Sequence, residues 1–279
     1  MSVAAVAGSV AAALGAATDA LAAAGVESPR LDAELMLERA TGLDRARLAA
    51  APEAGVDAPA AREFGAMVRR RLRREPLAYI LGSKGFRRIV LGVDPRVLVP
   101  RPETELLVEL ALELEPAAVL EVGTGSGAVG LAIANELPGA EVVATDTSLD
   151  ALAVAKANRD GLGLTDRVRL AYGSIEPGPF DLLVANLPYV SVAEWAGLAP
   201  EIREHEPREA LVSGPTGLEA IEELLGGVAD APEPPGAIGL EVGLGQGPTV
   251  AELVRRAGFD RIEIRPDLAG IDRVVVGWL

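Results

Sequence analysis

Asn186, Leu187, Pro188 and Tyr189 follow the apolar run Asp181–Ala185, which reads as a strand buried on both faces of a parallel sheet. An Asn-x-Pro-aromatic turn at the mouth of such a strand offers a side-chain carbonyl, a backbone carbonyl and an aromatic face. Together these suit the grip of a planar NH2 group that must attack an electrophile. The Asn186 side-chain oxygen and the Leu187 carbonyl are the candidate acceptors. Pro188 shapes the turn, and Tyr189 is placed to pack on the amide plane.

A second cluster lies upstream. Gly123, Gly125 and Gly127, interleaved with Thr124 and Ser126, follow the strand candidate Val119–Val122 and precede an Ala- and Leu-rich helix. Glycines at such a turn let the backbone approach a ligand closely. Asp146 ends the next strand candidate, 19 residues after Gly127, where a carboxylate accepts hydrogen bonds from ribose hydroxyls. NAD and S-adenosyl-L-methionine both carry that ribose. The glycine spacing separates them: dinucleotide loops read G-x-G-x-x-G, whereas this one reads G-T-G-S-G-A. A sulfonium donor has no pyrophosphate to seat on the helix N-terminus. Glu121 is then expected near the methionine amino group, Ser174 on the adenine amine, and Ile175 over the adenine face. Asn186 borders both clusters. The pattern predicts an S-adenosyl-L-methionine-dependent methyltransferase acting on an amide or exocyclic amine nitrogen.

These residues need a scaffold. From Glu103 onward helices alternate with strand candidates at 119–122, 141–145, 168–171, 181–185, 237–242, 261–264 and 273–276, the pattern of a doubly wound α/β sheet. Residues 79–102 read as a β-hairpin linker, with Ile89–Leu91 pairing Val97–Val99 across Gly92–Pro95. Residues 1–78 read as a small helical bundle for substrate docking: an Ala-rich helix over 3–24, a helix opened by the Ser28 cap and Pro29, a loop marked by Pro52, Gly55 and Pro59, and a helix from about 60 to 74. The methyltransferase domain is thus expected over 103–279.

The 279 residues are 49% hydrophobic but only 3% aromatic, so Leu, Val, Ala and Ile must fill the core. A net charge of −15 argues against a direct nucleic-acid binder. No cysteine and one histidine, His205, leave no metal site expected. His205 reads as a loop residue. The first basic residue is Arg30 and Asp19 interrupts the first apolar run, so neither a signal peptide nor a membrane anchor is expected, and the cytoplasm is the expected location. Arg69, Arg70, Arg71, Arg73 and Arg74 form one dense basic cluster, either a solvated helix end or a docking patch for an acidic partner.

Further segments carry a resemblance. Ser28–Glu34, Arg74–Gly82, Val99–Glu105, His205–Pro207, Ala210–Leu211, Gly217–Leu218, Asp267–Gly270 and Asp272–Arg273 are similar to those of the protein-(glutamine-N5) methyltransferases of class-I peptide release factors, the HemK/PrmC family. The resemblance spans nearly the whole chain. It implies a class I S-adenosylmethionine-dependent methyltransferase fold: Rossmann-like, with a mixed seven-stranded sheet. It also implies a substrate glutamine in the Gly-Gly-Gln motif of peptide chain release factors 1 and 2, and a monomer. The family motif is Asn-Pro-Pro-Tyr, and Leu187 departs from it. Asn-Leu-Pro-Tyr also occurs in rRNA adenine dimethyltransferases, so an rRNA or DNA adenine methyltransferase is the alternative. A non-catalytic binding module is a third. The chemistry needs a backbone carbonyl from this position, and Leu supplies one while losing proline's fixed φ.

Overall fold

The computed structural model describes residues 8–279, which divide into two compact units. One runs to Gly82 and takes in Pro200–His205; the other holds Ser83–Ala199 and Glu206–Leu279.

The first unit is helical: α1 (Val10–Ala23), α2 (Pro29–Thr41), α3 (Arg45–Ala50), α4 (Ala58–Leu72) and α5 (Leu77–Leu81), with the helix Pro200–His205. Positions 3–7 of the expected first helix lie outside the described residues. Ser9, Asp44 and Asp57 each cap a helix by accepting a backbone N–H three residues on. Ser28 stands at the cap of α2 but makes no side-chain capping bond; Pro29 opens that helix with its missing N–H. Pro59 sits in the first turn of α4 rather than in a loop, and α3 and α5 are additions to the expected bundle. Leu14, Leu21, Met36, Leu37 and Phe64 fill this unit's core.

Most of the basic cluster is spent on ion pairs within its own unit. Arg71 is 7% exposed. Its Nε donates to Asp32 Oδ2 at 2.7 Å and its Nη1 to Glu201 Oε1 at 3.0 Å. Arg74 grips the same Glu201, and Arg70 pairs with Glu75. Only Arg69 and Arg73 of the five are exposed. His205 ends a short helix instead of lying in a loop, with its Nε2 3.1 Å from the Arg73 carbonyl oxygen.

The second unit opens with a hairpin of β1 (Ser83–Phe86) and β2 (Ile89–Gly92). This corrects the expected pairing. The turn is Arg87-Arg88, with Arg87 at φ 50°, and it carries no glycine or asparagine to announce it. Val97–Val99 joins no strand. Pro95 and Pro100 bracket it without N–H donors, and the Val99 N–H is taken by Glu206 Oε2 at 3.1 Å.

The chain then runs α6 (Glu105–Leu114), β3 (Ala118–Val122), α7 (Ala128–Glu136), β4 (Glu141–Asp146), α8 (Leu149–Gly161), β5 (Val168–Tyr172), β6 (Leu182–Ala185) and β7 (Val190–Ser191). After α9, the helix Pro200–His205 of the first unit, come β8 (Val212–Gly214), α10 (Glu219–Ala229), β9 (Ala237–Glu241), α11 (Gly247–Arg256), β10 (Arg261–Pro266) and β11 (Asp272–Trp278). Seven strands form one sheet in the order β10-β11-β9-β6-β3-β4-β5. β5, β4, β3, β6 and β9 are mutually parallel, and β11 is antiparallel to both its neighbours. Short β7 and β8 pair separately.

Every residue of β6 and β9 is buried, as strands covered on both faces require. Leu120, Val122, Leu183, Ala185, Ile238 and Leu240 face α10 and α11 in one cluster. Gly239, of opposite parity, lies beneath Leu107 and Leu110 of α6. The helices fix the sheet, and the sheet aligns the carboxyl ends of β3, β4 and β6 along one edge.

Candidate active site

That edge bears a cavity of about 320 Å³, lined by Glu121–Ser126, Asp146–Ser148, Gly173, Ser174 and Asn186–Pro188 among others. Gly123, Gly125 and Gly127 have φ of +75°, +55° and +86°, a region where other residues are strained. The Thr145 carbonyl accepts the N–H groups of both Gly123 and Thr124, which fixes the first bend. Asn158 Nδ2 donates to the Ser126 carbonyl oxygen at 2.8 Å and fixes the last. The tight βα turn leaves the loop backbone facing the cavity.

Asp146 closes β4 opposite this loop. Its Oδ2 accepts the Gly125 N–H at 2.9 Å and its Oδ1 the Ser148 N–H at 2.8 Å. A half-buried carboxylate held by two backbone donors is a rigid acceptor. Glu121 is 3% exposed. Its Oε2 accepts the Thr124 hydroxyl at 2.6 Å, and backbone N–H groups of Gly130 and Val129 also reach it. Burial nevertheless pushes its carboxyl up to about 7.

Ser174 lines the cavity, but its carbonyl is already bonded by the Thr145 hydroxyl at 2.6 Å. Ile175 is not brought there. It packs against the apolar core and reaches Gly227 of α10, lining a separate pocket with Leu120, Phe180 and Leu183. Tyr189 is also absent from the cavity lining. The chain enters β7 directly after it, and its carbonyl accepts Gln246 Nε2 at 3.0 Å, which draws the residue toward the end of β9. A Cβ on Gly243 would stand 3.1 Å from the Tyr189 ring. Burial, reinforced by Glu241, raises the Tyr189 hydroxyl to about 12, so it stays protonated.

Comparison with known proteins bears on this arrangement. The PrmC N-terminal domain family matches residues 12–82, and a methyltransferase domain family matches residues 120–205. A release factor glutamine methyltransferase of Moorella thermoacetica is 43% identical over 275 residues, 95% of this chain and 97% of that protein. One from Caulobacter vibrioides is 40% identical, covering 94% and 93%. One from Deinococcus radiodurans is 42% identical, covering 93% and 94%.

The chain belongs to the release factor glutamine methyltransferase family.

Its fold is the class I methyltransferase fold, with the mixed seven-stranded sheet expected. Among solved structures, the catalytic domain of hMettl16 in complex with the MAT2A 3'UTR hairpin 6 aligns with TM-score 0.57 at 13% identity, covering 67% of this chain and 75% of that one. A methyltransferase from Pyrococcus furiosus aligns with TM-score 0.50 at 20% identity, covering 67% and 87%. At these identities the likeness is one of fold.

Two residues of this release factor glutamine methyltransferase family member went unassigned in the sequence. Thr104, 4% exposed, accepts Asn186 Nδ2 on its hydroxyl at 3.0 Å. Glu241, 2% exposed, closes β9 with its carboxyl beside the same hydroxyl. A Glu set inside the apolar run 237–242 was the available signal. Nothing in the spacing joins Thr104 to Asn186, 82 positions away.

Proposed function

We propose that this chain transfers a methyl group from S-adenosyl-L-methionine to the side-chain amide nitrogen of the glutamine in the Gly-Gly-Gln motif of peptide chain release factors 1 and 2. It acts as a monomer in the cytoplasm, without binding nucleic acid directly. The activity of the family supports the reaction class. The observation that carries the site assignment is that the Asn186–Pro188 turn and the Gly123–Ser126 loop line one cavity.

The cavity's chemistry fits the donor. Its loop turns at three left-handed glycines, Gly125 stands open with nothing near where a Cβ would be, and Asp146 presents fixed carboxylate oxygens for the ribose. Gly123–Ser126, Asp146 and Ser174 would hold the donor, with Glu121 behind the loop. When bound, the sulfonium supplies an electrophilic methyl group. Among the described residues no helix is long and apolar enough to cross a membrane.

The protein's own residues act on the nucleophile. An amide nitrogen is poor at attack because its lone pair is delocalised into the carbonyl. The Asn186 side-chain oxygen and the Leu187 carbonyl accept the two hydrogens of the substrate NH2. They orient it and favour positive charge developing on nitrogen, a preorganised electrostatic effect. Holding the nitrogen in line also removes the entropy of encounter. The N–CH3 bond would form as the methyl–sulfur bond breaks to leave a neutral thioether, and the alkylated nitrogen, acidic by then, loses its proton to water, so no strong base is needed.

The test uses radiolabelled donor with intact release factor and with ribosomal RNA. Label in the factor, lost when its Gly-Gly-Gln glutamine is replaced, supports the reading. Label in RNA alone transfers the protein to the adenine-modifying alternative, and label in neither leaves the binding-module reading.

A further inference from the structure

We propose that Thr104 and Glu241 are positioning residues that decide which end of the Asn186 amide meets the substrate. The inference rests on the reading of Asn186 as an acceptor for the substrate NH2.

An asparagine amide carries an acceptor at one end and two donors at the other. Only the oxygen end can receive the hydrogens of a substrate amide. The neighbours must therefore break the near-symmetry, and they do so through one hydroxyl. Asn186 Nδ2 donates to Thr104 Oγ1 at 3.0 Å. The buried Glu241 carboxyl lies beside Thr104, and its unpartnered Oε2 makes it the acceptor open to the Thr104 proton. A hydroxyl has a single proton. Once that proton is given to a carboxylate, the Thr104 oxygen is left only to accept. Only the NH2 end of Asn186 satisfies it, and Oδ1 is turned away from Thr104.

The sheet builds this in. β6 and β9 are parallel, with Ala185 opposite Leu240, so Asn186 and Glu241 stand next along their strands. Glu241 is 2% exposed and its Oε2 has no hydrogen-bond partner. Its charged neighbours do little for it. Arg101 is paired with Glu206 and Arg273 with Asp267, while Glu103 adds like charge and the Tyr189 hydroxyl stays protonated. Burying such a carboxyl costs stability. The polar group beside it is the hydroxyl that holds Asn186.

Protonation reverses the device. A neutral Glu241 can donate to Thr104, whose own proton then turns to Asn186, and the amide flips to present NH2 to the substrate. Two donors then face the substrate's donors. Burial puts the Glu241 carboxyl at about 7, so turnover should rise as pH passes through neutrality.

The test compares Thr104→Val, Thr104→Ser and Glu241→Gln with the parent. Release-factor methylation gives kcat and KM, and calorimetry gives donor affinity. Valine keeps the shape of threonine and removes the hydroxyl. It should lower kcat by roughly 10–100-fold, the scale of one lost preorganised contact, with donor affinity unchanged. Serine should restore most of the rate. Glu241→Gln should abolish the rise in kcat near pH 7. Parental kcat in Thr104→Val, or an unaltered pH limb in Glu241→Gln, overturns the proposal. Hydrogen exchange at the Asn186 side-chain NH2 by NMR separates this inference from the substrate assignment. Protection in the parent and its loss in Thr104→Val support the positioning even if the parent labels no release factor. Equal exchange in both overturns it.

Discussion

The Leu187 side chain lies over Gly123, so that a Cβ on that glycine would stand 3.0 Å from Leu187 Cδ2. The turn expected to hold the substrate therefore rests on the loop expected to hold the donor. Position 187 supplies more than a backbone carbonyl. Leu187→Pro gains a fixed φ but loses this methyl contact. We expect kcat on release factor within about 3-fold of the parent, because the rigid turn offsets the change, and a measurable loss of donor affinity by calorimetry. A collapse of kcat at unchanged donor affinity would show that the Leu187 side chain itself bears on the substrate.

Asn186→Ala removes the proposed acceptor and leaves the glycine loop intact. Turnover should fall roughly 100-fold or more, with donor affinity within a few-fold. Single-turnover methylation of release factor measures it, and near-parental rates would exclude Asn186 from the chemistry.

Asp146→Ala removes an acceptor for the donor ribose and also the anchor of the Gly125 and Ser148 N–H groups. Donor affinity should fall by about 1.5–3 kcal/mol, the scale for hydrogen bonds to a charged group. Calorimetry decides, and unchanged affinity would place the donor elsewhere.

Glu121 makes stability depend on pH. Burial holds its folded carboxyl up at about 7 against the ordinary 4.5, so near neutrality the folded protein keeps a proton that the unfolded chain has released. That contribution is fully present below the unfolded pKa and is lost as pH rises through the folded one, with a slope of up to about 1.4 kcal/mol per pH unit. The unfolding midpoint of the ligand-free parent should fall between pH 5 and pH 8. In Glu121→Gln it should fall less. Equal slopes in the two proteins would mean that Glu121 is ionised in the fold throughout.

Arg71→Leu should destabilise the helical unit by about 3 kcal/mol, because it strands buried Asp32 without its cation. Adding Asp32→Leu should recover part of that loss in a double-mutant cycle. Thermal melts of the intact chain report both, and additive losses would argue against a coupled pair.

The strands of the large sheet were legible because each is a short apolar run bounded by turn residues, and the parallel order follows from their alternation with helices. The glycine loop was legible because three glycines at that spacing have few other uses. The hairpin was misread because Arg87-Arg88 carries none of the residues that mark tight turns, while Gly92–Pro95 carries several. The pairing within the arginine cluster was not legible because sequence distance hides partners: Asp32 is 39 and Glu201 130 positions from Arg71. Ile175 and Tyr189 were assigned by neighbourhood along the chain, and their side chains are claimed by the core and by the end of β9.

β11 follows β10 in the chain yet lies inside it in the sheet, between β10 and β9. Val274, Val275 and Val276 are fully buried there. A chain emerging from its N-terminal side can assemble β3 to β9 early, but β10 has no strand to join until β11 exists. The growing protein therefore carries an open edge at β9 through much of its synthesis. The Arg273–Asp267 pair also forms only with β11. Val274 of β11 pairs with Glu241 of β9, so a chain stalled before β11 would hold the glycine loop while the strand end beside Asn186 still lacked its neighbour.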